Sequence, residues 1–491
     1  MSNDLPSPPG PTAPQTALRG DLTQGPIGKT LLMFSLPALA TNILQSLSGT
    51  INSIWVGRLI GESALAATAN ANIVMFLVSS LAFGFGMAGT VLIAQRWGAR
   101  NVDGARRAFG SATGFAVGLM LVIAIVGYIT APALLTTMAT PGDAYGLALT
   151  YLRMLFISMP FMMVSVNLSM SLRGTGDAKT PLIFMGVTVL IDAVLNPLLI
   201  AGYGPFPAMG IAGSALATII ASMFAFIAMV AYVYGKDLPL RLRGAELRYL
   251  IPARDELGYI LTKGVPMGAQ MLVMSASGII MVRLVNQEGL LTTAAYAAAM
   301  QLFTYMQMPA MAIGAAVSAM AAQFIGAGKW DGLDKVTSAG MWTNLLMTGS
   351  LCILLLLFDR PVLVLFLGPG SDAIPIAQNL QLIASWSFVF FGVTMVYTAT
   401  MRAAGAVWLP LVIITIALYP VRLGFYELTY EQLGANAIWW SFVIGAFAGL
   451  VLAWSSYRFW NWRKGQPQSP GIAQETAHCE GEPAGRMVPD I

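Results

Sequence analysis

Histidine occurs once in 491 residues and cysteine twice. His478 and Cys479 sit near the C-terminus outside any apolar run, and Cys352 stands alone inside one. These shortages exclude a histidine proton relay or histidine-based metal site within the apolar part of the chain, and no disulfide is expected. Charge is scarce as well. Asp, Glu, Lys and Arg make up 10% of the residues, where a soluble domain carries about 25%. So little charge excludes a soluble enzyme. A basic start followed by a short apolar core is also missing. The first 27 residues, rich in Pro, Ser and Gly, are therefore not read as a cleaved signal peptide.

What fills the chain is hydrophobicity, 57% of residues with mean hydropathy +0.71, gathered into long uncharged runs. They span 30–57, 63–95, 108–142, 154–172, 193–235, 264–282, 289–328, 336–358, 373–401, 403–421 and 432–457. A hydrocarbon core of about 30 Å takes roughly 20 residues of helix to cross, and each run meets or nearly meets that length. The string GYGPFPAMG at 202–210 splits one run into two helices. The first of these starts upstream at Thr180 and crosses a single charge, Asp192. The pattern predicts an all-α membrane protein with twelve transmembrane helices joined by short loops.

With the N-terminus placed in the cytosol, all but five of the 26 Lys and Arg residues fall in cytosolic segments; the five are Arg58, Arg153, Arg283, Arg360 and Arg422. Positive residues accumulate on the cytoplasmic side. The expected location is thus the inner (plasma) membrane, multi-pass, with both termini cytosolic. The net charge of +4 reflects this bias and implies no nucleic acid.

The chain repeats itself at an offset of about 229 residues. QRWGARNVDGARR at 95–107 matches QFIGAGKWDGLDK at 323–335, and LRGTGDAKTPL at 172–182 matches MRAAGAVWLPL at 401–411. Pro37 and Pro266 fall at the same spacing in the first helix of each half. Six helices per half is an even number, so the halves share one orientation and are expected to be two pseudo-symmetric six-helix bundles about an axis along the membrane normal. The expected organisation is a disordered tail over 1–27, a bundle over 28–234, a basic connector over 235–257, a bundle over 258–464 and a disordered tail over 465–491. Two such bundles around a cleft are the architecture of an alternating-access transporter. The Gln-x-x-Gly-Ala and LRGTGD loops are read as helix-capping turns. LRGTGD is no phosphate-binding loop, because no strand precedes it.

Few polar residues interrupt the spans. Asp192 is the only acid near the middle of one, about 18 Å along its helix at 1.5 Å per residue. A charge there costs on the order of 3 kcal/mol, so the carboxyl is either a functional proton carrier or hydrogen-bonding glue between helices. Asn196 lies one turn further on the same face. Asn52 and Asn196, and after them Asn167 and Thr218, are candidates to line a cavity; the alternative is that they join helices by hydrogen bonds. Arg422, Glu427 and Glu431 are expected to form an interfacial charge cluster at the outer end of helix eleven. Most of the 29 methionines are read as packing.

Several of these strings together resemble the multidrug and toxic compound extrusion (MATE) family. They are SLPALATNILQSLSGTINSIWVGRLIGESALAA at 35–67, the two Gln-Gly-Ala loops, LRGTGD, DAVLNPLLI at 192–200 and GIAGSALAT at 210–218. The resemblance covers about Gly28 to Lys464. It implies a secondary-active antiporter that exports organic, cationic compounds in exchange for protons or sodium, with no cofactor and no metal. It also implies that the first helix bends near Pro37 during transport. The chain departs from the family at three places. The family commonly carries an aspartate in the first helix, where Asn52 stands here. The family's fifth helix often reads Asn, three residues, Asp, Pro, whereas Asp192 here precedes Asn196. The C-half carboxylates of some members have no equivalent in 264–282 or 373–401. These departures favour protons over sodium, with Asp192 as the coupling residue. The expected partners are a small organic substrate, protons and membrane lipid, and the expected state is a monomer. A lipid-linked saccharide flippase of the same superfamily is the alternative; the lack of a buried Arg/Lys cluster counts against it.

Overall fold

The computed structural model describes residues 20–137, 142–202 and 207–463. The expected disordered tails fall largely outside the described residues, as do His478 and Cys479. Among the described residues twelve helices are long and apolar enough to cross a membrane, and no strand occurs. Backbone groups in hydrocarbon must be satisfied within their own segment, which makes helix the available form for such runs. The N-half comprises α1 (Ile27–Leu59), α2 (Glu62–Gly98), α3 (Val102–Thr137), α4 (Gly142–Gly174), α5 (Lys179–Ala201) and α6 (Ile211–Gly235). The C-half comprises α7 (Arg254–Gln287), α8 (Leu290–Gly326), α9 (Trp330–Leu357), α10 (Ala373–Ala403), α11 (Trp408–Leu433) and α12 (Asn436–Phe459). A short helix, Asp359–Leu367, precedes α10, which turns at Ser385; α11 widens by a π-type turn at Ala417–Val421, around Pro420.

The repeat is visible in the backbone. Gly61 and Gly289 carry φ of 114° and 98°, Gly176 and Gly405 carry 85° and 84°, and Gly210 and Gly434 carry 55° and 54°. Each pair ends or begins the corresponding helix of the two halves in a left-handed conformation that favours glycine.

The halves meet at the end that carries the basic loops. Gln95 Nε2 of α2 donates to the Ala403 carbonyl at the end of α10 at 2.7 Å, and Gln323 Nε2 of α8 donates to the Gly174 carbonyl at the end of α4 at 2.9 Å. The two bonds are equivalents of each other under the repeat. Glycine is required beside each: a Cβ on Gly98 would stand 2.7 Å from the Gln323 carbonyl carbon, and one on Gly326 would stand 2.7 Å from that of Gln95. The Gln-x-x-Gly-Ala strings thus do more than cap helices; they form a reciprocal latch between the halves. A buried ion pair, Arg96 to Glu256 at 3.0 Å, lies alongside.

One stripe of α2 records where the halves part. Gly84, Ala88, Val91 and Gln95 are buried, whereas Ile73 and Leu77, further along the same face, are 58% and 57% exposed. On α8 the C-terminal end is buried and Tyr305 is 40% exposed. The cleft between the halves therefore opens away from the basic end.

Two segments outside the spans are packed against this closure. The connector's turn, Gly244–Leu250, lies on α3: Tyr249 Oη donates to Asp103 at 2.9 Å and Arg106 Nη1 to Glu246 at 2.7 Å. Residues 20–26, grouped with the tail by composition, hold a defined place. Leu22 is buried, its N–H donates to Gln323 Oε1 at 2.9 Å, and Lys329 Nζ donates to Thr23 at 3.2 Å. This stretch is held ahead of α1 because Gln323 and Thr175–Gly176 offer a seat to the backbone at Gly20 and Leu22.

Candidate proton and substrate site

Inside the N-half, three helices each bring a polar pair spaced i, i+4 to one place: Ser48 and Asn52 on α1, Asp192 and Asn196 on α5, Ser214 and Thr218 on α6. Residues four apart share a helix face, so three such pairs converge as a polar core in an apolar bundle. Asp192 is 2% exposed. Its Oδ1 accepts from Thr218 Oγ1 at 3.0 Å and its Oδ2 from Ser48 Oγ at 3.4 Å. Ser214 Oγ donates to Asn52 Oδ1 at 2.7 Å, and Asn52 Nδ2 donates to Tyr151 Oη of α4 at 3.4 Å. Asn196 is fully buried; its amide donates to the Asp192 backbone carbonyl at 3.1 Å, and its Oδ1 has no hydrogen-bond partner.

Four of the five polar residues singled out in the sequence thus come together: Asn52, Asp192, Asn196 and Thr218. Asn167 does not join them. It sits on α4, the helix of Tyr151, but 16 residues nearer the basic end, about 24 Å away along the helix axis. There Asn167 Nδ2 donates to Thr113 Oγ1 at 3.2 Å, beside a small apolar cavity under Phe85 and Phe115. Pro37 also lies nearer the basic end, about 16 Å below Ser48. It removes the N–H that would bond the Met33 carbonyl, and it borders a cleft of about 470 Å³ with Thr30, Lys179 and Ile183. Ser48, Tyr151 and Ser214 were not singled out. The signal that finds them is their spacing: Ser48 and Ser214 stand four residues before Asn52 and Thr218.

No guanidinium or ammonium makes an ion pair with Asp192 among the described residues, where no group of three His, Cys, Asp or Glu side chains comes together either. The carboxyl is held by these two hydroxyls, with the Asn196 amide beside it. Such an arrangement can keep it ionised while both hydroxyls donate. Once protonated, the acid must donate in turn, and one hydroxyl must release it. Thr218 has an alternative acceptor in place, the Ser214 carbonyl at 3.3 Å.

The charge cluster expected at the outer end of α11 is not formed. Glu427 and Glu431 are exposed, while Arg422 is 7% exposed and turned into the C-half bundle. The π-type turn just before Arg422 shifts the register of α11 by one residue, and Gly445 of α12 leaves room for the Arg422 side chain.

The MatE family model matches the chain twice, over residues 37–198 and 266–426, so each match opens on the proline of one half's first helix. A probable multidrug resistance protein of Bacillus subtilis, YoeA, is 35% identical over 442 residues, covering 90% of this chain and 95% of that protein. A probable multidrug resistance protein of Thermotoga maritima, NorM, is 26% identical, covering 87% and 90%. Among solved structures, an outward-facing MATE family transporter of the MOP superfamily superimposes with a TM-score of 0.81 at 23% identity, covering 90% of this chain and 98% of that one. A MATE in the bent conformation gives 0.79 at 24% identity, covering 89% and 95%. Those identities carry the fold; the family rests on the two matched repeats and the Bacillus relative. Twelve spans, a duplicated bundle and these matches together place this chain in the multidrug and toxic compound extrusion family of membrane transporters, which are not enzymes.

Proposed function

We propose that the protein is a multidrug exporter working as an antiporter: it moves organic, cationic compounds out of the cell and admits protons in exchange through Asp192. The relatives named multidrug resistance proteins support the drug-export part. The observation that carries the coupling part is the Asp192 carboxyl, buried at mid-span with hydroxyl donors from α1 and α6 and no basic partner among the described residues. Asn52 and Asn196 cannot titrate, so a proton that enters this core has one place to bind. With the basic end in the cytosol and the protein in the inner membrane, the closed latch faces inward and the cleft faces outward.

The exchange follows from charge and hydrogen-bond direction. Ionised Asp192 attracts a cationic solute strongly in a low-dielectric interior. A proton arriving from outside cancels that attraction and turns an acceptor into a donor. Thr218 swings to the Ser214 carbonyl, and the Ser48 link between α1 and α5 loosens. The helix α1 is then free to bend where Pro37 has already removed a backbone bond. Proton-driven export should rise as the outside is made more acidic than the inside. The test is ethidium efflux from proteoliposomes under an imposed proton gradient or an imposed sodium gradient. Efflux driven by the sodium gradient alone would overturn proton coupling.

A further inference from the structure

Arg422 lies within α11, about 20 Å from its basic end, the same depth at which Asp192 lies on α5. It is 7% exposed, and among the described residues no carboxylate pairs with it. Glu427 and Glu431 on its own helix face outward, and Glu288 is engaged by Tyr430 Oη at 2.6 Å. Two guanidinium nitrogens, Nε and Nη2, are buried without a hydrogen-bond partner. No other described arginine has two. These two form one edge of the guanidinium, the edge that holds a carboxylate or phosphate through parallel N–H···O bonds.

The surroundings select the rest of the ligand. One face of the guanidinium is covered by the Phe442 ring, 3.6 Å from its central carbon to the ring centroid. Tyr296 stacks with Trp439 at 6.1 Å and 16°, and Tyr426 lies one turn along from Arg422. A permanent cation buried in a membrane protein needs a counter-charge, and here the protein supplies a ring face and leaves the buried donor edge without a hydrogen-bond partner. We propose that the C-half interior at Arg422 is a second binding site, for the carboxylate or phosphate group of an organic solute whose planar apolar body lies among Tyr296, Tyr426, Trp439 and Phe442. The statement that this solute is cargo rests on the export function proposed above; its binding does not. The transporter then has a site for positive groups in one half and a site for negative groups in the other, and zwitterionic solutes fall within its range.

The test is calorimetric titration of the full chain in dodecyl maltoside with 2-naphthoate and with its uncharged analogue 2-naphthamide. The wild type should bind 2-naphthoate at least about tenfold tighter, since hydrogen bonds to a charged group are the stronger kind. R422Q should bind the two equally, and R422K should keep part of the preference, because lysine retains the charge without the two-donor edge. D192N should bind 2-naphthoate as the wild type does even while it fails in proton-driven export, so failure of either proposal registers separately. Equal affinity of the wild type for the two compounds overturns the site whether or not R422Q folds. So does an R422Q protein that keeps the wild-type preference. Repeating the titration in phospholipid nanodiscs separates solute from lipid: binding seen in detergent and abolished there assigns Arg422 to a headgroup phosphate and overturns the solute site.

Discussion

About 20 Å from the basic end, α5 carries Asp192 among Ser48, Asn52, Ser214 and Thr218, while α11 carries Arg422 among Tyr296, Tyr426, Trp439 and Phe442. The scaffold around them is one scaffold used twice, with the same left-handed glycines at helix ends and the same Gln-to-carbonyl bond across the seam. What the duplication preserved is the machinery of closure. What diverged is the interior, where Asn52 has Met281 as its counterpart and Ser48 has Ser277. A repeat that holds its seam constant can therefore take opposite chemistry at equivalent depths, with one widened turn in α11 turning Arg422 inward.

The comparison can be broken most severely at Asp192. D192N keeps the size of the side chain and should fold, yet proton-driven ethidium efflux from proteoliposomes should fall to the level of empty vesicles. Wild-type efflux by D192N would move coupling out of the N-half altogether. Next in size is R422Q, whose loss of the roughly tenfold preference for 2-naphthoate marks the C-half as the anionic side.

The latch comes third. Each Gln-to-carbonyl bond is neutral and worth about 1 kcal/mol, roughly a fivefold shift. Q95L should shift the balance toward opening at the basic end by that factor, and Q323L, which also gives up the bond from the Leu22 N–H, by about 30-fold. Spin labels at positions 107 and 335, exposed sites in separate halves, would report the distance between them. If only one of the two variants shifts the distance distribution, closure does not rest on both bonds.

The smallest effect separates two serines at equivalent positions. Ser48 holds Asp192 at 3.4 Å, whereas Ser277 Oγ is buried with no partner. S48A should slow proton-driven efflux by about fivefold, the worth of one hydrogen bond, and S277A should leave it within about twofold. Equal effects would mean that the serine acts through packing in both halves.

The membrane made most of this fold legible. Uncharged runs that must span about 30 Å leave few alternatives to twelve helices, and Pro37 with Pro266 marked the repeat. The polar core was legible where a residue type was rare: Asp192, Asn52 and Asn196 stand out in apolar helices. Ser48 and Ser214 do not, because a serine in a membrane helix can satisfy itself on its own backbone, as Ser53 does on the Gly49 carbonyl. Asn167 had the right type and the right helix at the wrong depth. Burial of Arg422 was hidden because it follows from a single widened turn, which no periodicity predicts. The seat of residues 20–26 was hidden because it is built from backbone groups of distant loops, while their own composition is that of a tail.

The closed latch also settles which compounds can reach the interior first. With the basic end in the cytosol, as proposed, the faces bearing Ile73, Leu77 and Tyr305 are wetted by the external medium. A blocker shaped to wedge between them acts on the cell from outside. It has no bilayer to cross and no need to accumulate in the cytoplasm, and the pump cannot protect the cell by expelling a molecule that never entered.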